Sequence, residues 1–264
     1  YSIILAFAYH EPEVAKISLR KKVNRGRIVQ DTGSGGAWPV SSDRVVWAIA
    51  AWEIYKVTGE QAWLDEIYPI IKNSLEDDYR TLHDPETGLY AGESSFLDWR
   101  EQTYPKWMSN MDIAVSQNLG TNVLHYRANR ILAEMSALKG DSGDAYTKRA
   151  DDIKAGINQY LWMEDKGYYA QYRYGRPHLT ISPRFEALGE ALAVLFDVPD
   201  ADRAASIIAR SPVTEYGVTC IYPQIPGIPP YHNNAIWPFV QSYWNLAAAK
   251  TGNEQVLVHG LASI

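Results

Sequence analysis

The sequence predicts an all-α fold, a toroid of helical hairpins, and three observations carry that expectation. Apolar residues recur at helical spacing through most of the chain, while the strict alternation of a half-buried strand is scarce. A turn pattern repeats in Lys56-Val-Thr-Gly-Glu-Gln61, Lys139-Gly-Asp-Ser-Gly-Asp144 and Lys250-Thr-Gly-Asn-Glu-Gln255. In each, glycine closes one helix in a left-handed conformation, and an acidic or amide side chain is placed to cap the next. Between these tight turns lie long loops rich in Gly, Pro and aromatic residues: Val23 to Ser42, Leu82 to Met108, Gly167 to Ser182 and Ser211 to Asn233. Loops longer than about 15 residues are uncommon in compact domains unless they are functional. Short turns alternating with long decorated loops describe a ring of hairpins whose open face carries a site.

The opening helix spans Ser2 to Val23 and bends or restarts at Pro12, which lacks a backbone donor and clashes with the preceding turn. The periodicity then places helices at Asp43–Val57, Gln61–Tyr79, Ser109–Leu138, Asp144–Trp162, Pro183–Phe196, Asp200–Arg210, Asn234–Lys250 and from Glu254 onward. That makes about nine helices against about twelve in a closed six-hairpin (α/α)6 toroid, so residues 1–264 are expected to form a single (α/α)-barrel catalytic domain, incomplete at its C-terminal side and part of a longer chain.

At 264 residues with 46% hydrophobic and 21% charged, the chain has the composition of an ordinary globular domain. Its apolar runs, such as Ala187 to Phe196, are too short to span a membrane. A net charge of -6 argues against nucleic acid as a partner, and the basic run Arg20 to Arg27 is expected to solvate the end of the first helix. Asp77-Asp78 likewise reads as a solvated face at a helix end. The lone Cys220 excludes an internal disulfide and leaves the compartment open. With 9 Trp and 18 Tyr against 5 Phe, the aromatic rings are mostly of the kind with a polar edge. Such rings suit a sugar cleft, where a flat face stacks on a pyranose and the N–H or O–H still hydrogen-bonds; they equally suit a tyrosine-rich helical core.

Candidate chemistry falls in the loops. The segment from Tyr90 to Trp107 packs Glu93, Asp98, Arg100 and Glu101 among Tyr90, Trp99, Tyr104 and Trp107. A carboxyl beside an indole is shielded from water, which raises its pKa and keeps it protonated as a general acid. The competing reading is a surface loop whose charges pair with one another. Gln30 to Arg44 is glycine-rich but lacks the Gly-Lys-Ser/Thr ending of a phosphate loop. Asp43 or Ser42 reads as a helix cap there, and Trp38 and Arg44 as groups reaching into the mouth of the toroid. In Tyr231-His-Asn-Asn-Ala-Ile-Trp-Pro-Phe239 a preceding proline-rich run delivers Tyr231, His232, Asn233 and Trp237 to a helix start. Asn233 alternatively caps that helix, and Trp237 alternatively belongs to the core. Arg184 and Glu186, two residues apart, do not share a helical face, so one of them can point at the site. The six His residues show no metal-ligand spacing, so no metal or other cofactor is expected. There is no nucleophile elbow.

Three of these segments carry a family resemblance. Glu93-Ser-Ser-Phe-Leu-Asp-Trp-Arg100 resembles the acid-bearing loop of six-hairpin glycosidases, in the group with trehalases, processing α-glucosidases and the glucosidase modules of glycogen-debranching enzymes. Tyr231 to Phe239 is similar to the Tyr-His-Asn-Gly motif before Trp-Pro in debranching-type members, with Asn234 in place of the glycine. Gly35 to Arg44 resembles a sugar-contacting segment of bacterial relatives. The resemblance implies an exo-acting glycosidase that inverts at an α-glycosidic bond of an oligosaccharide, with Asp98 as general acid. It implies Trp38, Arg44, Trp99, Arg100, His232 and Trp237 lining the glycone subsite. Asp43, Glu101, Arg184, Tyr231 and Asn233, from the loops described above, are expected as further substrate contacts. The base that activates water across the sugar, about 6.5–9.5 Å away, is a glutamate downstream of the Trp-Pro motif in relatives and is expected beyond residue 264. Two other function classes stand beside this one: a sugar epimerase or terpenoid cyclase on a similar toroid, whose His pairs or DxDD motif are not seen, and a carbohydrate-binding fragment without catalysis. Trp38, Asp98 and Trp237 are expected to border one cavity.

Overall fold

A computed structural model describes residues 1–29, 39, 42–94, 103–175 and 179–264. The opening segment is a π-helical turn, Ile3–Phe7, continued by Ala8–His10 and restarted at Pro12 as α1 (Pro12–Arg20). Four hairpins follow: α2 (Val46–Thr58) with α3 (Gln61–Leu82), α4 (Leu119–Leu138) with α5 (Asp144–Tyr160), α6 (Ala187–Leu195) with α7 (Ala201–Arg210), and α8 (Pro238–Lys250) with α9 (Glu254–Ala262).

Burial divides each hairpin. The first helix of each pair is apolar or buried nearly all round: Trp47 to Trp52 in α2, most of Leu119 to Met135 in α4, and every residue from Ala187 to Val194 in α6. The second buries a single stripe, as with Trp63, Leu64, Ile67, Ile71 and Leu75 in α3 or Tyr146, Ala150, Ile153 and Ile157 in α5. A helix buried on all sides belongs inside and a one-stripe helix outside, so α2, α4, α6 and α8 form the inner ring and their partners the outer wall. Short connections make each pair antiparallel. Each inner helix therefore ends at a tight turn and starts from a long loop, so all four inner N-termini, the positive ends of their dipoles, serve the loop-bearing face.

The tight turns close as expected: Gly59, Gly140 and Gly252 have φ of 65°, 75° and 71°. The capping half of the expectation holds at Asn253, whose side chain accepts from the Val256 N–H, but neither Glu60 nor Gly143–Asp144 gives its helix a side-chain cap. Asp200 caps α7 by accepting from Arg203 N–H.

Several boundaries move because loop pairing overrides helical periodicity. The expected helix from Ser109 breaks after Asn110–Ala114, because Gln117–Asn118 pairs with Tyr172–Arg173 as the edge of a three-stranded sheet that continues to Thr180–Ser182. Phe185–Glu186 pairs with Ile221–Tyr222, so α6 starts at Ala187 rather than Pro183. Pro238 at the first helical position sets the start of α8, with Pro230–Asn234 a separate short helix.

Asp78 corrects the solvated-face reading. It lies on the inner side of α3, fully buried, and receives the guanidinium of Arg44 through two bonds of 3.1 and 2.8 Å. The basic run is also paired rather than merely solvated: Arg20 forks onto Glu66 at 2.7 Å twice, and Arg27 pairs with Asp77. Among the described residues no helix is long and apolar enough to cross a membrane.

Candidate active site

The long loops are held to the helical ring by buried amides. Asn122 of α4 clamps Tyr90, accepting from its N–H at 2.7 Å and donating to its carbonyl at 3.0 Å. Asn118 donates to Gly92 O at 2.6 Å, and the Thr121 hydroxyl donates to Glu93 O at 2.5 Å. Glu93 and Ser94 are fully buried at the foot of this loop, and the Tyr104 hydroxyl accepts from Ser94 N–H at 2.6 Å. The Tyr104 phenol is pushed far up by burial, with the charges of Glu93 and Asp43 adding to it. Glu93 and Asp43 thus both lie close enough to Tyr104 for their charges to act on it. The expected acid Asp98, with Trp38, Trp99, Arg100 and Glu101, lies outside the described residues.

The loop before α8 is fixed in the same manner. Asn233 is buried, accepts from Ile225 N–H at 2.7 Å, and donates to Ile225 O at 3.0 Å and Ile228 O at 3.1 Å. Both amide hydrogens are spent within the loop, so Asn233 is a clamp on that loop rather than a helix cap. It positions its neighbours. His232 beside it is 5% exposed, and its Nδ1 lies 3.3 Å from the Thr103 hydroxyl, which joins this loop to the far limb of the Tyr90–Trp107 loop, where the acid is expected. Burial pulls the His232 pKa down to about 4, so the ring is neutral near pH 7. Tyr231, His232 and Trp237 form one aromatic cluster with centroid separations of 4.7, 5.1 and 5.4 Å. Tyr231 and part of Trp237 remain accessible, so neither ring is simply core.

Arg44 is not the mouth-facing group expected. It is buried, its fork on Asp78 and its Nε donating to Ile28 O at 3.0 Å, so it braces the start of the first loop from below. Asp43, also buried, sits in the 3-10 turn Ser42–Val45 that leads into α2 and is not the N-cap of that helix. Of the Arg184 and Glu186 pair, Glu186 turns inward. Its two oxygens accept from Leu188 and Gly189 N–H at 3.0 Å each, capping α6, and burial raises its pKa to about 8. Arg184 turns outward, held by a 3.1 Å bond from Nε to Pro223 O. Of the glutamates within the chain that could be mistaken for the base, Glu186 is committed to its cap, Glu53 pairs with Lys56 at 2.7 Å near the tight-turn end of α2, and Glu101 lies outside the described residues.

Three of the four long loops meet at a cleft of about 460 Å³. Pro105, Lys106 and Trp107 come from the acid loop, Tyr172, Tyr174 and Ser182 from the third loop, and Ile225 and Pro226 from the fourth, with Arg184 at the wall. Beneath it Tyr104, Met108, Ile113 and Tyr172 form a small apolar core separate from the main one, which stiffens loops that would otherwise have only solvent to pack against. Lys106, Thr103 and Tyr174 carry no local signal in the sequence, since contacts between distant loops, Trp107 with Tyr174 and Met108 with Tyr172, bring the second and third loops together.

An all-α ring of inner and outer helices with aromatic loops over its inner N-termini defines the class of the six-hairpin toroids. Residues 6–261 match the family model described as "Mannosylglycerate hydrolase MGH1-like glycoside hydrolase domain", and the chain belongs to that family. A periplasmic trehalase from Salmonella dublin is 24% identical over 166 residues, 61% of this chain and 28% of the trehalase. The chain thus spans less than a third of that relative's length. Among solved structures, the GH63 mannosylglycerate hydrolase from Thermus thermophilus in complex with Tris and D-glycerate matches 99% of this chain and 83% of its own, with a TM-score of 0.71 and 14% identity. Neutral trehalase from Saccharomyces cerevisiae matches 80% of this chain and 52% of its own, with a TM-score of 0.59 and 12% identity. At such identities these two structures establish the toroid fold.

Proposed function

We propose that the protein is an exo-acting glycosidase that hydrolyses an α-glycosidic bond of an oligosaccharide or related glycoside with inversion, using Asp98 as general acid. The observation that carries this reading is the convergence of the acid loop and the aromatic loop. Both limbs of the Asp98 loop are anchored, at Glu93–Ser94 and at Thr103–Tyr104, and the second limb touches His232 next to the accessible rings of Tyr231 and Trp237. A carboxyl delivered beside such rings is desolvated, which favours its protonated form. Neutral His232 serves as a hydrogen-bonding partner for a sugar hydroxyl. Trp38, Asp43, Trp99, Arg100, Glu101, Arg184, Tyr231 and Trp237 complete the proposed substrate contacts. Trehalase and mannosylglycerate hydrolase, the activities named for the relatives, define the first substrates to assay: an α-linked disaccharide of glucose and an α-mannosyl ester-free conjugate of glycerate.

The test is Asp98→Asn in the full-length protein. Turnover of unactivated α-glycosides should fall by about two to four orders of magnitude with KM little changed, and substrates with a very good leaving group should suffer less. Proton NMR of the first-formed product should show the β anomer. Wild-type turnover in the variant removes Asp98 from the acid role, and an α anomer removes inversion.

A further inference from the structure

The cleft at Trp107 and Arg184 carries recognition chemistry that the acid loop and the His232 cluster do not use. We propose that it binds an acidic sugar unit on the leaving-group side of the substrate, a pyranose ring bearing a carboxylate, a reading that rests on the proposed glycosidase activity.

Position argues first. The cleft adjoins the His232 cluster on two sides, because Ile225 on its wall is held by Asn233 and Pro105 follows two residues after Thr103, which touches His232. It contains none of Tyr231, His232 or Trp237, so a glycone seated among those rings leaves this cleft for the remainder of the substrate. Size argues second. A volume of about 460 Å³ lies within the roughly 300–1,000 Å³ typical of ligand pockets and exceeds what a three-carbon acid fills.

The lining argues third. Trp107 is 60% exposed and is steadied by Tyr174 at 5.3 Å between ring centroids, which makes a platform for the apolar face of a sugar ring. Among the described lining residues Lys106 and Arg184 are the charged ones, and no carboxylate accompanies them there, in a chain whose net charge is -6. The Arg184 guanidinium is fixed through Nε to Pro223 O, and its two terminal nitrogens have no hydrogen-bond partner among the described residues. That leaves a planar donor pair suited to a carboxylate. On the floor lies the Ser182 hydroxyl, 2% exposed and beside the Tyr172 phenol. A neutral sugar would satisfy the platform and leave both cations without a counter-charge; a small acid would satisfy the cations and leave the indole uncovered.

The experiment is equilibrium binding to the full-length protein by titration calorimetry, with three probes: an α-linked glucosyl-glucuronic acid disaccharide, its carboxyl-reduced neutral counterpart, and D-glycerate. The acidic disaccharide should bind about tenfold more tightly than the reduced one, a gap that should close in Arg184→Gln and Lys106→Gln and shrink in high salt. Trp107→Ala should weaken both disaccharides by a similar factor, about five- to tenfold, and leave glycerate unaffected. These side chains are exposed or partly exposed, so the variants should fold, which circular dichroism checks. Equal binding of the acidic and reduced disaccharides overturns the proposal, as does glycerate binding as tightly as the disaccharide. Because the titration reads binding alone, its outcome is distinguishable from that of the turnover assays: selective binding leaves this site standing even where those assays sink the glycosidase reading.

Discussion

Replacing Arg44 separates a sugar-holding role from a structural one. Its guanidinium makes two bonds to buried Asp78, at 3.1 and 2.8 Å, and one to Ile28 O, at 3.0 Å, while Ser74 Oγ accepts from Ile28 N–H at 2.9 Å. Arg44→Met removes both of these bonds from a carboxylate that has no exposed surface, and breaking a buried pair in this manner costs about 3–5 kcal/mol. With a urea m-value of about 2–3 kcal/mol/M for a domain of this size, the unfolding midpoint should fall by about 1–2 M. Asp78→Leu should cost a similar amount. The double variant Arg44→Met/Asp78→Leu should recover most of it, since an apolar pair of like volume is often neutral relative to a buried ion pair. Limited proteolysis of Arg44→Met should cut first in the segment after Ile28. An Arg44→Met protein within about 1 kcal/mol of wild type, together with lost sugar affinity, would refute the bracing role and return Arg44 to the substrate.

Three further outcomes follow from buried groups. Glu186 holds its proton to about pH 8 when folded, against 4.5 when unfolded, so its contribution to stability is full below pH 4.5 and is lost as pH rises to 8. Glu186→Gln should therefore be less stable than wild type by about 1 kcal/mol at pH 4.5, through a weakened cap, and more stable at pH 8; a pH-independent difference in urea melts would refute this. Gly189→Ala places a methyl against Glu186 Oε2 and 3.0 Å from Gly120 N, and should cost about 1–3 kcal/mol in the same melts. Asn233→Ala should cost about 2–3 kcal/mol by leaving Ile225 N–H unpaired, and should weaken sugar binding through the loop it holds; unchanged binding would show that the loop keeps its place without the clamp.

The sequence by itself determined the helices and their pairing. Periodicity and the turns at Gly59, Gly140 and Gly252 are local, since backbone handedness and 3.6-residue spacing act over a few residues. The resemblance of Glu93–Arg100 and Tyr231–Phe239 likewise placed the chain in the right group of glycosidases. Only the tertiary structure decided how the buried polar groups are spent. Asp78 reads as a surface acid in its own helix and becomes the counter-charge of Arg44, 34 residues away. Asn233 reads as a cap and becomes a clamp on Ile225. Trp107 and Arg184, 77 positions apart, share one cleft because Tyr174 meets Trp107 while its strand pairs with Thr180–Ser182, just before Arg184. A polar side chain has the same local signature whether it meets water, a sugar or a distant backbone amide. Which of these it meets depends on long-range packing, and packing sets the cost of leaving it unpaired.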